Sequence, residues 1–487
     1  MTAATHLVWL RNDLRIADNP ALAAAADGEA RVVACFVLDE HSPGLRPLGG
    51  ASRWWLHHSL TRLAEALDRR GIALVLRRGA ATDVVPALAR ALGATRVDWS
   101  RRYGGAEIAV DKAVKARLRQ DGIEAASHNG ALLYEPWTVK TKTGEFFKVF
   151  TPFARSARAG GEPAAPPPAL VPRPIAGRPT VAIETDSLDD WRLLPRAPDW
   201  AGGLRATWQP GEDGAIARLA AFLDAGLRGY ADGRDRPDQG FTSRLSPHLA
   251  FGEISPRTVW HAAAARLDGL GGEPVPARDV EKFHSELMWR EFSHHLLYHR
   301  PDLATVNFQP RFDHFPWNGD PAALARWQAG QTGYPIVDAG MRQLWQTGYM
   351  HNRVRMIVGS LLVKHLLIDW RAGERWFWDT LVDADAANNA AGWQWIAGSG
   401  ADAAPYFRVF NPILQGEKFD PDGAYVARYV PELARLPASV IQKPWTASPQ
   451  TLHAAGVRLG ESYPRPVVDH DKGRARALAA FAALQDA

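Results

Sequence analysis

Residues 332–408 read TGYPIVDAGMRQLWQTGYMHNRVRMIVGSLLVKHLLIDWRAGERWFWDTLVDADAANNAAGWQWIAGSGADAAPYFR. Apolar residues recur through this stretch at helical spacing. Set among them are Asn352, Arg355, Asp383, Asp385, the pair Asn388–Asn389 and several Trp. An ordinary core helix carries few such groups, because burying a polar side chain without a partner costs free energy. So many in one apolar stretch point to a lined pocket inside a helical domain.

The helical pattern extends upstream to about residue 196, through segments such as ARDVEKFHSELMWREFSHHLLYH. Ser246-Pro247 and Ser255-Pro256 each fit a helix cap followed by Pro in the first turn. Residues 1–130 are different. The short apolar runs HLVWL, RVVACFVL, IALVLRRG and TRVDWS alternate with the helical segments ALAAAA, RWWLHHSLTRLAEALDRRG and VVPALARALG. This βαβ rhythm predicts a Rossmann-like α/β domain with a parallel sheet covered by helices. No G-x-G-x-x-G follows the first strand, so the usual dinucleotide fingerprint is missing. Gly49-Gly50 reads as a turn. Residues 131–195 contain GEPAAPPPALVPRPIAGRPT, which reads as an extended surface connector without chemistry. The predicted organisation is therefore 1–130, 131–195 and 196–487.

Composition narrows the function classes. The 487 residues allow two or three domains, and 46% hydrophobic residues allow a large core. The net charge of +4 permits a polyanionic partner without demanding one. Cys35 stands alone, which excludes a disulfide framework, a cysteine zinc site and a four-cysteine iron–sulfur cluster within one chain. The N-terminus has no signal-peptide pattern and no apolar run is long enough to span a bilayer, so a cytoplasmic location is expected; a monomer is expected as well.

Four motifs could carry chemistry. Tyr230 and the run Thr242-Ser243-Arg244-Leu245-Ser246 gather hydroxyls and an Arg before a helix start, a place that suits a phosphate, although helix capping explains it too. In ELMWREF, Glu286, Trp289 and Arg290 share one helix face. A carboxylate beside an indole could hold a flat ligand, while a Glu–Arg surface pair over a packed Trp is the plain reading. In HNRVRM, Asn352 and Met356 face one way; Asn can read a base edge and Met gives a soft wall. In DADAANNAAGWQW, Asp383 and Asp385 could serve a metal or acid–base chemistry, but nothing else supplies a hard-cation shell. Arg355 is the plausible ion-pair partner, and Asn389 lies four residues from both Asp385 and Trp393.

TSRLSP, ELMWREF, TGYPIVDAGMRQL, HNRVRM, WQW and GADAAPYFR occur together in this order, and in that the chain resembles the DNA photolyase/cryptochrome family over essentially its whole length. The resemblance implies an α/β antenna domain, a connector and an all-α domain that binds FAD. It implies light-driven electron transfer from reduced FAD to a pyrimidine dimer that has been flipped out of damaged DNA. It also implies roles for individual residues. Tyr230 and Thr242 to Ser246 match the phosphate side of the cofactor site. Asp383, Ala384 and Asp385 match the ribose and flavin edge, with Arg355 paired to Asp383. Asn389 matches the residue facing flavin N5, where plant cryptochromes carry Asp. Glu286 and Asn352 match groups that hydrogen-bond the dimer, Trp289 and Trp395 its aromatic walls, and Met356 its floor. Trp393, Trp370 and Trp317 match an electron relay from flavin to surface, with Trp376 and Trp378 near enough for another branch. Arg234, Arg290, Arg353 and Arg408 match residues serving the DNA backbone or pocket edge.

The same resemblance sorts the branches. Members that repair (6-4) lesions carry His where this chain has Asn352 and Met356, so cyclobutane dimers are expected. The single Cys excludes the iron–sulfur branch. Tyr349 stands where many members have Trp, for which a minor packing effect is expected. Glu107 falls at an antenna-contact position, and Arg53 to Leu60 resemble members that bind 5,10-methenyltetrahydrofolate; a deazaflavin or an empty antenna site are the alternatives. A cryptochrome-type photoreceptor without repair is the rival function. It is disfavoured by Glu286, Asn352 and Asn389 together and by the lack of a long low-complexity tail after Ala487. A dark flavin oxidoreductase would need a nicotinamide fingerprint and an acid–base pair, and neither is evident.

Overall fold

The computed structural model describes residues 4–27, 29–167, 184–403 and 407–484. Five strands, β1 (Thr5–Leu10), β2 (Arg31–Leu38), β3 (Ala73–Arg78), β4 (Ala94–Ser100) and β5 (Glu124–His128), form one sheet. All neighbours are parallel and the order is β3-β2-β1-β4-β5. Central β1 sets Leu7 against Val33 on one side and Val97 on the other. Both faces of β1 and β2 are covered, hence their near-continuous apolar sequences. Edge strand β5 is EAASH and is only half-buried, so it carries no apolar run to announce it. Helices α1 (Pro20–Ala25), α2 (Gly50–Asp68), α3 (Ala81–Ala91) and α4 (Gly105–Gln120) complete the α/β layers.

Helix α2 joins the two domains. Its Trp54 and Trp55 are fully buried. Trp55 donates Nε1–H to Glu253 at 3.0 Å and meets the rings of Trp208 and Phe251 at 5.5 and 6.1 Å. Gly49 is more than the expected turn residue. It caps α2, and a Cβ there would lie 2.2 Å from the carbonyl oxygen of Trp378. Only glycine lets the two backbones approach so closely.

The connector is not wholly extended. It contains α5 (Phe150–Ala159) and a 3-10 turn at Leu188–Trp191. Phe150, Phe153 and Ala157 share one face of α5, and that face packs on the long Ala277–His299 helix. Phe150 stacks on Trp289 with ring centroids 3.7 Å apart and planes 6° from parallel. Residues 168–183, most of the Pro-rich run, lie outside the described residues.

From residue 202 onward the described chain is helical. The helices Pro335–Thr347, Asn352–Ser360, Trp370–Thr380 and Asn388–Ala397 surround a core that includes Trp327, Trp370 and Trp393, while Ala277–His299 packs into a second core with Phe222, Tyr230 and Trp260. The Asn352–Ser360 helix runs on into a π-helical turn, Leu361–His365, which buries Lys364 and His365. No described helix is long and apolar enough to cross a membrane.

Candidate functional site

A cavity of about 630 Å³ opens among these helices. Tyr230, Ser243, Leu245, Ser246, Glu286, Trp289, Asn352, Arg355, Met356, Asp383, Ala384, Asp385, Asn389, Trp393 and Trp395 all line it. So do Arg234, Arg290 and Arg353. The structure thus gathers residues from motifs spread over more than a third of the chain. Thr242 and Arg244 stand behind the wall, and Trp370, Trp317, Arg408 and Glu107 lie elsewhere.

Asp383 anchors one part of the lining. Its Oδ2 accepts hydrogen bonds from Arg355 Nη2 at 2.7 Å and from the Ser246 hydroxyl at 2.6 Å. Arg355 also donates Nε–H to the Met350 carbonyl at 2.7 Å, which fixes the guanidinium. Ser246 is therefore not the helix cap expected from Ser-Pro: Leu245 occupies the cap position and the Ser246 hydroxyl goes to Asp383. Ser255 does cap, accepting the Thr258 amide at 3.0 Å. Asp385 closes its own turn instead, accepting from the amides of Ala387 and Asn388 at 2.9 and 2.7 Å and from Asn388 Nδ2 at 2.8 Å.

Tyr349 does more than adjust packing. It lines the cavity beside two cations, with Arg244 and Arg355 at 5.2 and 5.5 Å from its ring centroid. Arg244 adopts a left-handed backbone (φ 53°) and lies against the Trp208 ring at 4.7 Å. Spacing along the chain offered no sign of this stack, because Trp208, Arg244 and Tyr349 come from three separate segments.

Another part of the lining is built on the Ala277–His299 helix. Glu286 pairs with Arg234 and lies 3.3 Å from Lys282 Nζ, so its partners are not Arg290. Arg290 donates Nη1–H to the Ala131 carbonyl at 2.9 Å and approaches Glu291 at 3.3 Å, which ties the start of the connector to the helix. Glu291 also accepts the Leu133 and Tyr134 amides at 2.9 and 3.1 Å, and burial pushes its carboxyl up to about 7. Arg353 donates to Asp235 at 2.7 Å, a partner that pattern reading missed. Arg408 is exposed, and its described contact is the Phe410 ring at 5.7 Å. Its neighbours 404–406, within the GADAAPYFR motif, lie outside the described residues.

Trp393 is buried edge-on to Phe377 at 4.9 Å and to Trp327 at 6.1 Å. Trp370 is fully buried and donates Nε1–H to Asn307 at 2.9 Å. Trp317 is half-buried and packs against the same apolar cluster as Trp393 and Trp370. Glu107, in the first turn of α4, reaches back to accept the amide of the capping residue Gly104 at 2.9 Å, and lies 3.6 Å from Arg102. Arg53 is paired with Glu40.

Two observations bear on what the cavity holds. Asp383 Oδ1 and Trp393 Nε1 are buried with no hydrogen-bond partner among the described residues. An unpaired buried oxygen on a lining carboxylate calls for a donor from a ligand. No group of His, Cys, Asp and Glu among the described residues could hold a metal ion. A volume of this size falls in the range of sites that hold an organic ligand or cofactor.

Acid should loosen this site. His351 caps the Asn352–Ser360 helix by accepting the Arg353 amide at Nδ1, 3.2 Å. Burial holds its imidazole down, from 6.5 to about 4, against the opposing pull of Asp235. The folded state therefore binds fewer protons than the unfolded one. The stabilisation is complete above pH 6.5 and is lost as pH falls toward 4, by up to about 3 kcal/mol for a single such His. Buried His284, His295 and His365 shift in the same sense. Thermal melts should show Tm falling through this window, with a shallower fall for His351→Gln. An unchanged slope in that variant would remove His351 from the account.

Comparison with known proteins adds identity to this geometry. Residues 6–172 match the family model of DNA photolyase, and residues 283–483 that of the FAD binding domain of DNA photolyase. The chain is 52% identical to a deoxyribodipyrimidine photo-lyase of Agrobacterium fabrum, over 100% of this chain and 99% of the relative. Among solved structures, a bacterial class III photolyase from Agrobacterium tumefaciens superposes with a TM-score of 0.95 at 50% identity, covering 100% of this chain and 99% of that one. A cryptochrome of Synechocystis superposes with a TM-score of 0.86 at 30% identity, covering 99% and 100%.

Proposed function

This chain belongs to the DNA photolyase/cryptochrome family, and from that premise we propose that it repairs cyclobutane pyrimidine dimers in DNA, driven by blue light, with FAD as its catalyst. The observation that carries the reading is a shared cavity. Glu286, Asn352, Met356, Trp289 and Trp395 line the same space as Arg355, Asp383, Asp385 and Asn389. A lesion held by the first set would lie against a cofactor held by the second.

Bound and reduced, FAD supplies the light absorption and the electron. The protein supplies position and surroundings. Asp383, Arg355, Ser243, Ser246 and Asp385 would hold the cofactor, with Asp383 Oδ1 free to accept a hydroxyl. Glu286 and Asn352 would hydrogen-bond the base edges of the flipped dimer. Trp289 and Trp395 would flank it and Met356 would close the floor, keeping water out. Trp393, Trp370 and Trp317 would carry an electron inward from the surface to reduce oxidised cofactor. Arg234 and Arg353 are paired with Glu286 and Asp235, so they would exchange these carboxylates for phosphates when DNA docks, joined by exposed Arg408. For the antenna, the reading is 5,10-methenyltetrahydrofolate, on the resemblance of Arg53 to Leu60.

The test is to illuminate reduced protein with an oligonucleotide bearing one cyclobutane thymine dimer, against a dark control. Thymine absorbance should return only in light, and the action spectrum should reveal any antenna. No repair by a protein that retains photoreducible FAD would favour the photoreceptor reading, which the likeness to a cryptochrome structure keeps in view. Glu286→Ala should retain FAD yet lose repair yield roughly tenfold, the value of about one charge-assisted hydrogen bond. Undiminished repair would take Glu286 out of the lesion site.

A further inference from the structure

Asn389 presents one defined atom to the cavity. Its Nδ2 donates to the Glu374 backbone carbonyl at 3.0 Å and to Glu374 Oε1 at 2.8 Å. A carbonyl and a carboxylate only accept, so the amide nitrogen has to face them. That leaves Oδ1, an acceptor, as the free polar atom of this cavity-lining residue. Glu374 is itself held from the other domain. Arg46, in the loop between β2 and α2, donates Nη1 to Glu374 Oε1 at 2.6 Å and Nη2 to Oε2 at 3.1 Å. The Arg46 guanidinium also lies over the Trp378 ring at 4.0 Å. Trp378 Nε1 donates to the Pro47 carbonyl at 2.9 Å, and the Gly50 amide donates to Asp379 at 2.8 Å. Loop and helix are thus locked at four successive points.

We infer that Arg46 and Glu374 are positioning residues that set the orientation of Asn389 and the charge behind it, so that the α/β domain tunes the redox potential of the cofactor in the helical domain. The inference rests on the FAD reading above. Glu374 is buried, one hydrogen bond behind the lining. Arg46 is the cation that balances it, in the bidentate geometry that makes such pairs strong. Without Arg46, an uncompensated negative charge would stand behind Asn389 and disfavour adding electrons to the cofactor. Without the Glu374 charge, Arg46 would favour it. In addition, a Gln at 374 could donate, which would let the Asn389 amide turn and offer Nδ2 to the cavity instead. The two substitutions therefore have opposite signs, whereas general loosening of the domain contact would move both the same way.

The experiment is a redox titration of FAD in purified full-length protein, followed by absorbance, for wild type, Arg46→Gln and Glu374→Gln. FAD content after desalting is measured first. Arg46→Gln is expected to lower the midpoint potential and Glu374→Gln to raise it. Each shift should correspond to about a tenfold change in the reduction equilibrium, or ~30 mV for a two-electron couple. Because Arg46 lies on the partly exposed side of the pair, its variant should keep fold and FAD. Normal FAD content with unchanged potentials, or shifts of the same sign in both variants, would overturn the inference. Absence of FAD from the wild type would instead overturn the reading beneath it.

Discussion

Asp383→Ala is expected to strip FAD from the protein. Asp383 holds two lining groups at once: Arg355 Nη2 at 2.7 Å and the Ser246 hydroxyl at 2.6 Å. Its removal leaves a guanidinium without its counter-ion at the wall of a cavity that a cofactor would dry. Breaking such a pair costs about 3 kcal/mol or more, which lowers FAD affinity roughly a hundredfold. The loss of Oδ1, unpartnered in the free protein, removes a ligand acceptor as well. Asp383→Asn should lose less, because its amide oxygen can still accept from Ser246. The check is FAD absorbance after desalting, with circular dichroism to separate cofactor loss from unfolding. A folded Asp383→Ala protein that retains FAD as the wild type does would mean that this carboxylate is not the cofactor's anchor.

Trp393→Phe should abolish photoreduction of oxidised FAD while leaving repair by chemically reduced protein intact. Trp393 is both a cavity-lining ring and a member of the apolar cluster that includes Trp370 and, at its margin, Trp317. Gly373 lies flat against it, with room for no Cβ: one would fall 2.1 Å from the ring. The indole is therefore held tightly between helices. Phe fills most of the space at a cost of about 1–2 kcal/mol, but it is far harder to oxidise than indole. Flash photolysis with an external reductant would follow the flavin directly. Persistent photoreduction would move the electron's entrance to another ring, of which Trp345 and Trp376, stacked at 6.0 Å and 7° near the surface, are the first to test.

Residues sharing one helix face were legible from spacing alone: Glu286 with Trp289, Asn352 with Met356, and Asn389 with Trp393 all reach one cavity. Their partners were not. Ser246 meets Asp383 from 137 residues away and Arg46 meets Glu374 across 328; no local periodicity encodes such pairs. A Ser before Pro predicts a cap because that is the nearest use for its hydroxyl, yet a buried carboxylate competed for it successfully. The sheet was legible in the apolar runs of β1 to β4, the edge strand β3 included, and illegible at β5, whose half-buried EAASH carries no apolar run. The connector misled for a related reason. Its Pro-rich part dominates the composition, while Phe150 and Phe153, the residues that dock α5, are few.

The seam at α2 has a consequence for synthesis. Trp54 and Trp55 share a cluster with Trp208, Phe251, Tyr349 and Val382. The amide of Leu14 is likewise satisfied by the carbonyl of Phe251. The five strands are complete once His128 has emerged from the ribosome, but the last of those covering residues follows roughly 250 residues later, which at ~5–20 residues per second takes tens of seconds. For that interval α2 lacks part of the cluster that buries its two indoles in the finished protein. The nascent chain is thus a natural client for a holding chaperone, and slowed translation downstream of residue 130 should increase aggregation of this protein more than slowing upstream of it.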